Sequence, residues 1–155
     1  MNIDPKAFEE RFKEGWKKSF PEGDITRLYD VSMGYKNISN VSDFIGYVYP
    51  NEYFLECKAH KGASIPFSAI SQYDELIKKA GIYGIRAGVV LYLYEKFRVF
   101  YIPVKTIEQM KKDGKKSVGI KALEEGYRII EIPSTRLRVF MDSDYTVLKK
   151  LEEGD

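Results

Sequence analysis

Asp43, Glu56 and Lys58 are ionisable side chains inside a stretch, Ser42 to Gly62, whose remaining residues are mostly strand formers. Two carboxylates and an ammonium gathered at one point could hold a hard divalent cation, Mg²⁺ or Mn²⁺, through oxygen ligands. Whether they gather depends on how the strands pair. Pro50-Asn51 separates "DFIGYVY" from "EYFLECKAH" and suits a tight turn. A hairpin closed there sets Asp43 opposite Lys58 and Ile45 opposite Glu56. Alternation places Glu56 and Lys58 on one face, and the odd pairing puts Asp43 on the same face, diagonal to Glu56. Diagonal cross-strand neighbours lie ~7–8 Å apart at the backbone, so two short acidic side chains can share one cation at about 2.1 Å per oxygen bond. The other face carries Phe44, Gly46, Val48, Leu55, Cys57 and Ala59, apolar and small enough to pack against a helix. On this reading Cys57 is a buried small hydrophobe. The plain alternative for the charges is a solvated hairpin face.

A third carboxylate comes from the first helix, predicted over residues 4 to 20. Asp4 suits its N-cap, Pro5 its first turn, and Phe8, Phe12 and Trp16 recur at i, i+4 and i+8. At ~100° per residue, Glu9 lands beside Trp16 on the inward edge, while Glu10 and Glu14 point away. A charge on an apolar stripe needs a partner, either a shared metal or a lysine at the boundary.

The rest of the chain must position these groups. "DITRLYDV" is expected as a short strand and "SMGYKNISN" as a surface loop. Pro66 is expected to open a helix carrying Phe67, Ile70, Tyr73 and Ile77 on one stripe and closing at Gly81. "YGIRAGVVLYLYE" reads as a central strand with "FRVFYIPV" beside it. A lysine-rich helix "KTIEQMKKDGKKS", a short helix around "GIKALEEG", a strand "YRIIEIP" and a last helical turn in the tail complete the order. This order predicts an α/β sheet covered by helices on both faces, in one domain spanning 1–155. With 155 residues, 44% of them hydrophobic, one substantial core is affordable in size and two are not expected. A single cysteine and a single histidine exclude an intrachain disulfide and a Cys/His zinc site. No apolar run approaches ~20 residues and the first residues are charged, so a soluble, cytoplasmic protein is expected. The net charge of +2 announces no polyanionic partner by itself, so any nucleic-acid contact must rest on where the charges sit.

The order Asp43, then Glu56-Cys57-Lys58 at the end of the partner strand, then a helix, resembles the PD-(D/E)xK nuclease superfamily, with Ser42-Asp43 in place of Pro-Asp. More closely, "AFEERFKEGWKKSFP", "SDFIGYVYPNEYFLECKAHKGASIPFSAISQYDEL", "GIRAGVVLYLYE", "YIPVKTIEQM" and "MDSDYTVL" resemble RecU-type Holliday junction resolvases, especially the short forms carried by phages. The resemblance implies a restriction-endonuclease-like mixed sheet and a role in DNA recombination and repair. It implies that Asp43 and Glu56 bind Mg²⁺ or Mn²⁺, with the Cys57 backbone carbonyl as a further ligand. Lys58 then contacts the attacked phosphate or positions water, and Glu9 completes the acidic cluster. Family members are symmetric dimers that nick opposed strands of a four-way junction, a substrate of matching symmetry. Neither a membrane nor a small-molecule cofactor is implied.

Two departures stand out. Only about a dozen residues, "DVSMGYKNISNV", occupy the place of a longer projecting insertion in the chromosomal proteins. Gln72, a candidate catalytic residue, stands out of step with the family's glutamine. For DNA, Lys17, Lys18, Arg27, Lys36 and Lys61 flank the hairpin, Gly62 lets the chain approach a phosphate, and Tyr35 could stack on an unpaired base. Each basic residue has a plain alternative as a solvated surface group. The run "KKDGKK" reads as a solvated turn distant from the site, and Tyr92, Tyr94 and Phe100 as core or dimer-interface residues. Besides a junction resolvase, a nuclease of the same fold acting on other DNA and a catalytically inactive DNA-binding module remain open.

Overall fold

A computed structural model of the chain describes residues 3–28 and 40–150. Helix α1, Pro5–Ser19, starts where Asp4 accepts the Lys6 N–H at 3.1 Å. Its Phe8, Phe12 and Trp16 are buried, as their spacing predicts. Strand β1, Asp24–Arg27, follows, and the chain returns as β2, Phe44–Val48, and β3, Asn51–His60. After the short strand β4, Ser64–Pro66, and a 3₁₀ turn, Phe67–Ala69, come α2, Tyr73–Lys79, β5, Ile85–Leu93, and β6, Arg98–Pro103. The rest comprises α3, Val104–Lys112, β7, Ser117–Gly119, α4, Ile120–Glu124, β8, Ile130–Ile132, the hairpin β9, Ser134–Arg136, and β10, Met141–Ser143, and a 3₁₀ segment, Tyr145–Lys150.

Six strands form one sheet in the order β1-β2-β3-β5-β6-β8, in which only β3 and β5 run parallel. The parallel pair is possible because the chain crosses over through α2 before β5. Both faces are covered. On one, α1, β10 and the final 3₁₀ segment bury an aromatic core of Phe12, Trp16, Phe44, Tyr53 and Tyr145, with rings 4.8–6.3 Å apart around Trp16. On the other, α2, α3 and α4 cover an aliphatic core that includes Phe54, Ile65, Leu76, Val89, Leu91, Ile107 and Val118. This is a restriction-endonuclease-like mixed sheet flanked by helices. Among the described residues no helix is long and apolar enough to cross a membrane.

Three local expectations are corrected. The hairpin closes on Tyr49-Pro50, not Pro50-Asn51, with Val48 opposite Asn51 and Phe44 opposite Leu55. That slides β3 by two residues and brings Asp43 level with Glu56 instead of Lys58. A slip of two keeps every side chain on its face. The helix expected from Pro66 is broken, because Ser64–Pro66 zips to Ser117–Gly119 and the Phe67 N–H bonds to the Lys116 carbonyl at 3.0 Å. Only Tyr73–Lys79 is α-helical.

Candidate active site

Strand β3 delivers the central carboxylate. Glu56 lies on the aliphatic face with Phe54 and is 1% exposed. Burying a carboxylate is costly unless its lone pairs are satisfied. Its partners are Lys58 Nζ, at 3.4 Å from Oε1, the Ser71 hydroxyl, which donates to Oε1 at 3.2 Å, and the Gln72 N–H, which donates to Oε2 at 3.4 Å. The break between the 3₁₀ turn and α2 is what turns Ser71 and Gln72 toward this carboxylate. Burial holds the Glu56 pKa above its ordinary value, with Lys58 pulling down and Asp43 pushing up.

Asp43 stands immediately before Phe44, where the β2–β3 ladder stops. Its backbone N–H donates to the Leu55 carbonyl at 3.0 Å, and its Oδ2 accepts the Cys57 N–H at 2.8 Å. The side chain thus takes the donor that a further ladder residue would have used. A residue's N–H and C=O point to the same side of a strand. The Cys57 carbonyl therefore faces the edge where Asp43 lies, beyond the last β2 pair. The Cys57 side chain points to the aromatic core, and burial, with Asp43 and Glu9 near, pushes its thiol pKa well up. Lys58 is 31% exposed on its side chain, so its ammonium meets both Glu56 and solvent.

Glu9 reaches the site from the opposite side. Helix α1 packs on the aromatic face, and its Glu9 carboxylate feels both Asp43 and Lys58. The partner is Arg27 of β1, not a lysine. The Arg27 Nε donates to Glu9 Oε2 at 3.0 Å, with Nη2 also 3.0 Å away, and the side chains are 24% and 17% exposed. Arg27 further donates from Nη1 to the carbonyls of Asp43, at 3.0 Å, and Leu28, with its guanidinium over the Phe44 ring. Its donors are turned inward, away from the DNA-backbone contact expected of it. Burial raises the Glu9 pKa; Arg27 opposes this and Asp43 adds to it. Glu9 therefore feels Asp43 without joining it, and among the described residues no three His, Cys, Asp or Glu side chains form a ready metal cluster.

The remaining expected residues divide. Lys18 is exposed and pairs with Asp142 of β10 at 3.1 Å, and Lys17 is exposed beside it on α1; neither is joined to the acidic pair. Lys61 is exposed just past β3. Gly62 has φ +81°, which favours glycine, but its N–H is taken by Glu95 Oε1 at 2.6 Å. Gln72 gives its backbone N–H to Glu56 while its side-chain Oε1 is buried without a hydrogen-bond partner. Tyr35 and Lys36 lie outside the described residues. Sequence reasoning missed Ser71 and the Glu9–Arg27 pair. A serine one step before Gln72 was a visible signal; the ion pair joins different elements and had none.

No protein-family model and no curated protein sequence matches the chain. A solved structure does. The fold is similar to that of Hjc, a Holliday junction resolvase of the archaeal hyperthermophile Archaeoglobus fulgidus. The two superpose with a TM-score of 0.57 over 79% of this chain and 94% of Hjc, at 20% sequence identity. At that identity the likeness to Hjc speaks for the shared sheet and its flanking helices.

The donor set suits a divalent cation. Asp43 and Glu56 are hard oxygen donors brought level on adjoining strands, and Asp43 Oδ1 has no hydrogen-bond partner among the described residues. The Cys57 carbonyl faces the same edge.

Proposed function

We propose that this chain is a metal-dependent, structure-selective endonuclease of the short RecU type carried by phages, acting as a homodimer on four-way DNA junctions. The observation that carries the reading is Glu56. A carboxylate 1% exposed, level with Asp43 and bonded to Lys58, is costly to keep on an Hjc-like sheet unless it has work there. Asp43, Glu56 and the Cys57 carbonyl would hold Mg²⁺ or Mn²⁺. Bound there, the cation supplies Lewis-acid charge at a phosphate and lowers the pKa of a coordinated water.

The chain's own groups do the rest. Lys58 brings a fixed positive charge to the phosphate oxygens, whose charge grows in the transition state. Ser71 and the Gln72 N–H keep Glu56 oriented when Lys58 turns toward DNA. Glu9, fixed by Arg27 at the sheet edge, adds negative charge beside Asp43 and steadies the cation's surroundings. Two copies related by a two-fold axis would place two such sites on opposed strands, giving paired nicks.

The test is cleavage of labelled four-way junction, linear duplex and flap DNA in Mg²⁺, with Asp43→Asn and Glu56→Ala alongside. Paired symmetric nicks confined to the junction, with both variants binding and failing to cut, are expected. Cutting of linear duplex would point to a nuclease acting on other DNA. Binding without cleavage by the unaltered protein in either Mg²⁺ or Mn²⁺ would leave only a DNA-binding module.

A further inference from the structure

The run Lys111-Lys112-Asp113-Gly114-Lys115-Lys116 is distant from the hairpin in sequence but not in the fold. Strand β7 follows it directly and pairs antiparallel with β4, setting Gly119 opposite Ser64 and Ser117 opposite Pro66. The contact is tight. A Cβ at Gly119 would stand 2.0 Å from the Ala63 carbonyl oxygen, and the Ile120 N–H bonds to that oxygen at 3.1 Å. The segment leaving β3 through Lys61 is thereby bound to the lysine-rich one.

Between them lies an open cleft of about 350 Å³ lined by Ser64, Lys115, Lys116, Ser117, Lys121 and Glu125. Lys115 is neutralised by Glu125 at 2.8 Å. Lys116 and Lys121 are exposed and form no ion pair among the described residues, Glu125 acting on Lys121 only through space; Ser64 and Ser117 are exposed hydroxyl bearers. Two exposed ammonium groups outside any ion pair and two hydroxyls around one cleft are the donors that phosphate oxygens take.

The cleft also stands on the right side. Ile65, Val118 and Ala122, from the elements that build it, pack in the same core as Phe54, which shares Glu56's face. Eight residues separate Glu56 from Ser64, a reach of at most ~29 Å even fully extended. That is less than one turn of duplex, about 34 Å.

We propose that this cleft, through Lys116 and Lys121, grips the phosphate backbone of a duplex arm within one helical turn of the bond being cut. The proposal rests on the nuclease reading for the place of cutting and on charge for the partner.

The experiment measures affinity for a fluorescent four-way junction across a salt series in EDTA, so that no cleavage intervenes. Lys116→Gln/Lys121→Gln is compared with the unaltered protein and with Lys149→Gln/Lys150→Gln, which removes the same charge from the aromatic face. Losing two phosphate contacts should flatten the slope of log K against log salt by about 1.8 and weaken binding tens-fold near 0.1 M salt. The control pair should leave the slope alone, and melting should be unchanged in Lys116→Gln/Lys121→Gln, while the control also loses the exposed Lys149–Glu22 pair at 2.7 Å. An unchanged slope in Lys116→Gln/Lys121→Gln, or an equal change in the control, overturns the cleft. Failure of the nuclease reading looks different. A protein that shows the flattened slope yet cuts nothing in Mg²⁺ keeps the cleft and loses the nuclease.

Discussion

The two faces of the β2–β3 hairpin are built from the same strands and do opposite work. Toward α1, Gly46 lets the Trp16 ring lie directly on the strand, and Phe44, Leu55 and Cys57 fill the space around it. The ionisable groups in that layer, the Cys57 thiol and the Tyr53 and Tyr145 phenols, are weak acids that burial holds in the neutral form. Toward α2, a carboxylate is carried just as deep and must be met by an ammonium, a hydroxyl and a backbone N–H. The first face gains from burial. The second bears its cost, and a cost retained inside a core points to function.

The largest effect expected from this contrast is a crossed pair of substitutions. Gly46→Ala places a methyl 2.8 Å from Trp16 Cζ2, on a ring with no room to yield. Overpacking of that kind should cost about 1–3 kcal/mol and lower the melting temperature by several degrees, with turnover per folded molecule intact. Glu56→Gln keeps the shape and the Ser71 bond but removes the charge. It should melt no earlier than the parent and lose more activity than the ~10–100-fold that removing an outer partner of a metal ligand costs. Both are read by calorimetry and single-turnover cleavage. A Glu56→Gln protein that is destabilised but active would erase the distinction between the faces.

A smaller, pH-dependent effect follows from the carboxyls. Burial raises the pKa of both Glu56 and Glu9 above the ordinary 4.5, so each takes up a proton more readily in the folded state than in the unfolded chain. Their contribution to stability is fully present below the ordinary carboxylate value and is lost as pH rises through the folded values. Without divalent metal, stability should therefore fall over the range that begins near pH 4.5, and Glu56→Gln should fall less. An equally steep fall in the variant would mean that Glu56 bears no such desolvation.

What was legible in the sequence was parity. Alternation alone set Asp43, Glu56 and Lys58 together, and an error of two residues in register left that result standing, since a shift by two preserves the face. The 3.6-residue period likewise drew Glu9 to the rim of the aromatic stripe. Long-range pairing was not legible. That Ser64–Pro66 would join Ser117–Gly119, breaking a helix whose stripe of Phe67, Ile70 and Ile77 looked continuous, depends on chain segments about fifty residues apart. The same pairing carries the lysine run to the face that bears Glu56, from which it is distant in sequence. Nor could a helical wheel tell which sheet face α1 would cover, or that Arg27 of β1 would take the Glu9 carboxylate.

The smallest effect decides what Glu9 does. Its pair with Arg27 is less than a quarter exposed on either side, unlike Lys18–Asp142, whose side chains are 73% and 45% exposed. A double-mutant cycle of Glu9→Gln and Arg27→Gln should therefore give a coupling of about 1 kcal/mol, against a few tenths for the exposed pair. Stability alone does not separate an anchor from a member of the site, because either would show coupling. Cleavage does. If Glu9 serves only to hold Arg27 against the Asp43 carbonyl, both single variants lose the same activity and the double loses no more. The position of Glu9 beside Asp43, whose charge adds to the rise that burial gives its pKa, leads to the other outcome. Glu9→Gln should slow cleavage several-fold more than Arg27→Gln, with the difference shrinking as Mg²⁺ is raised; equal rates in the two would reduce Glu9 to a structural residue of the sheet edge.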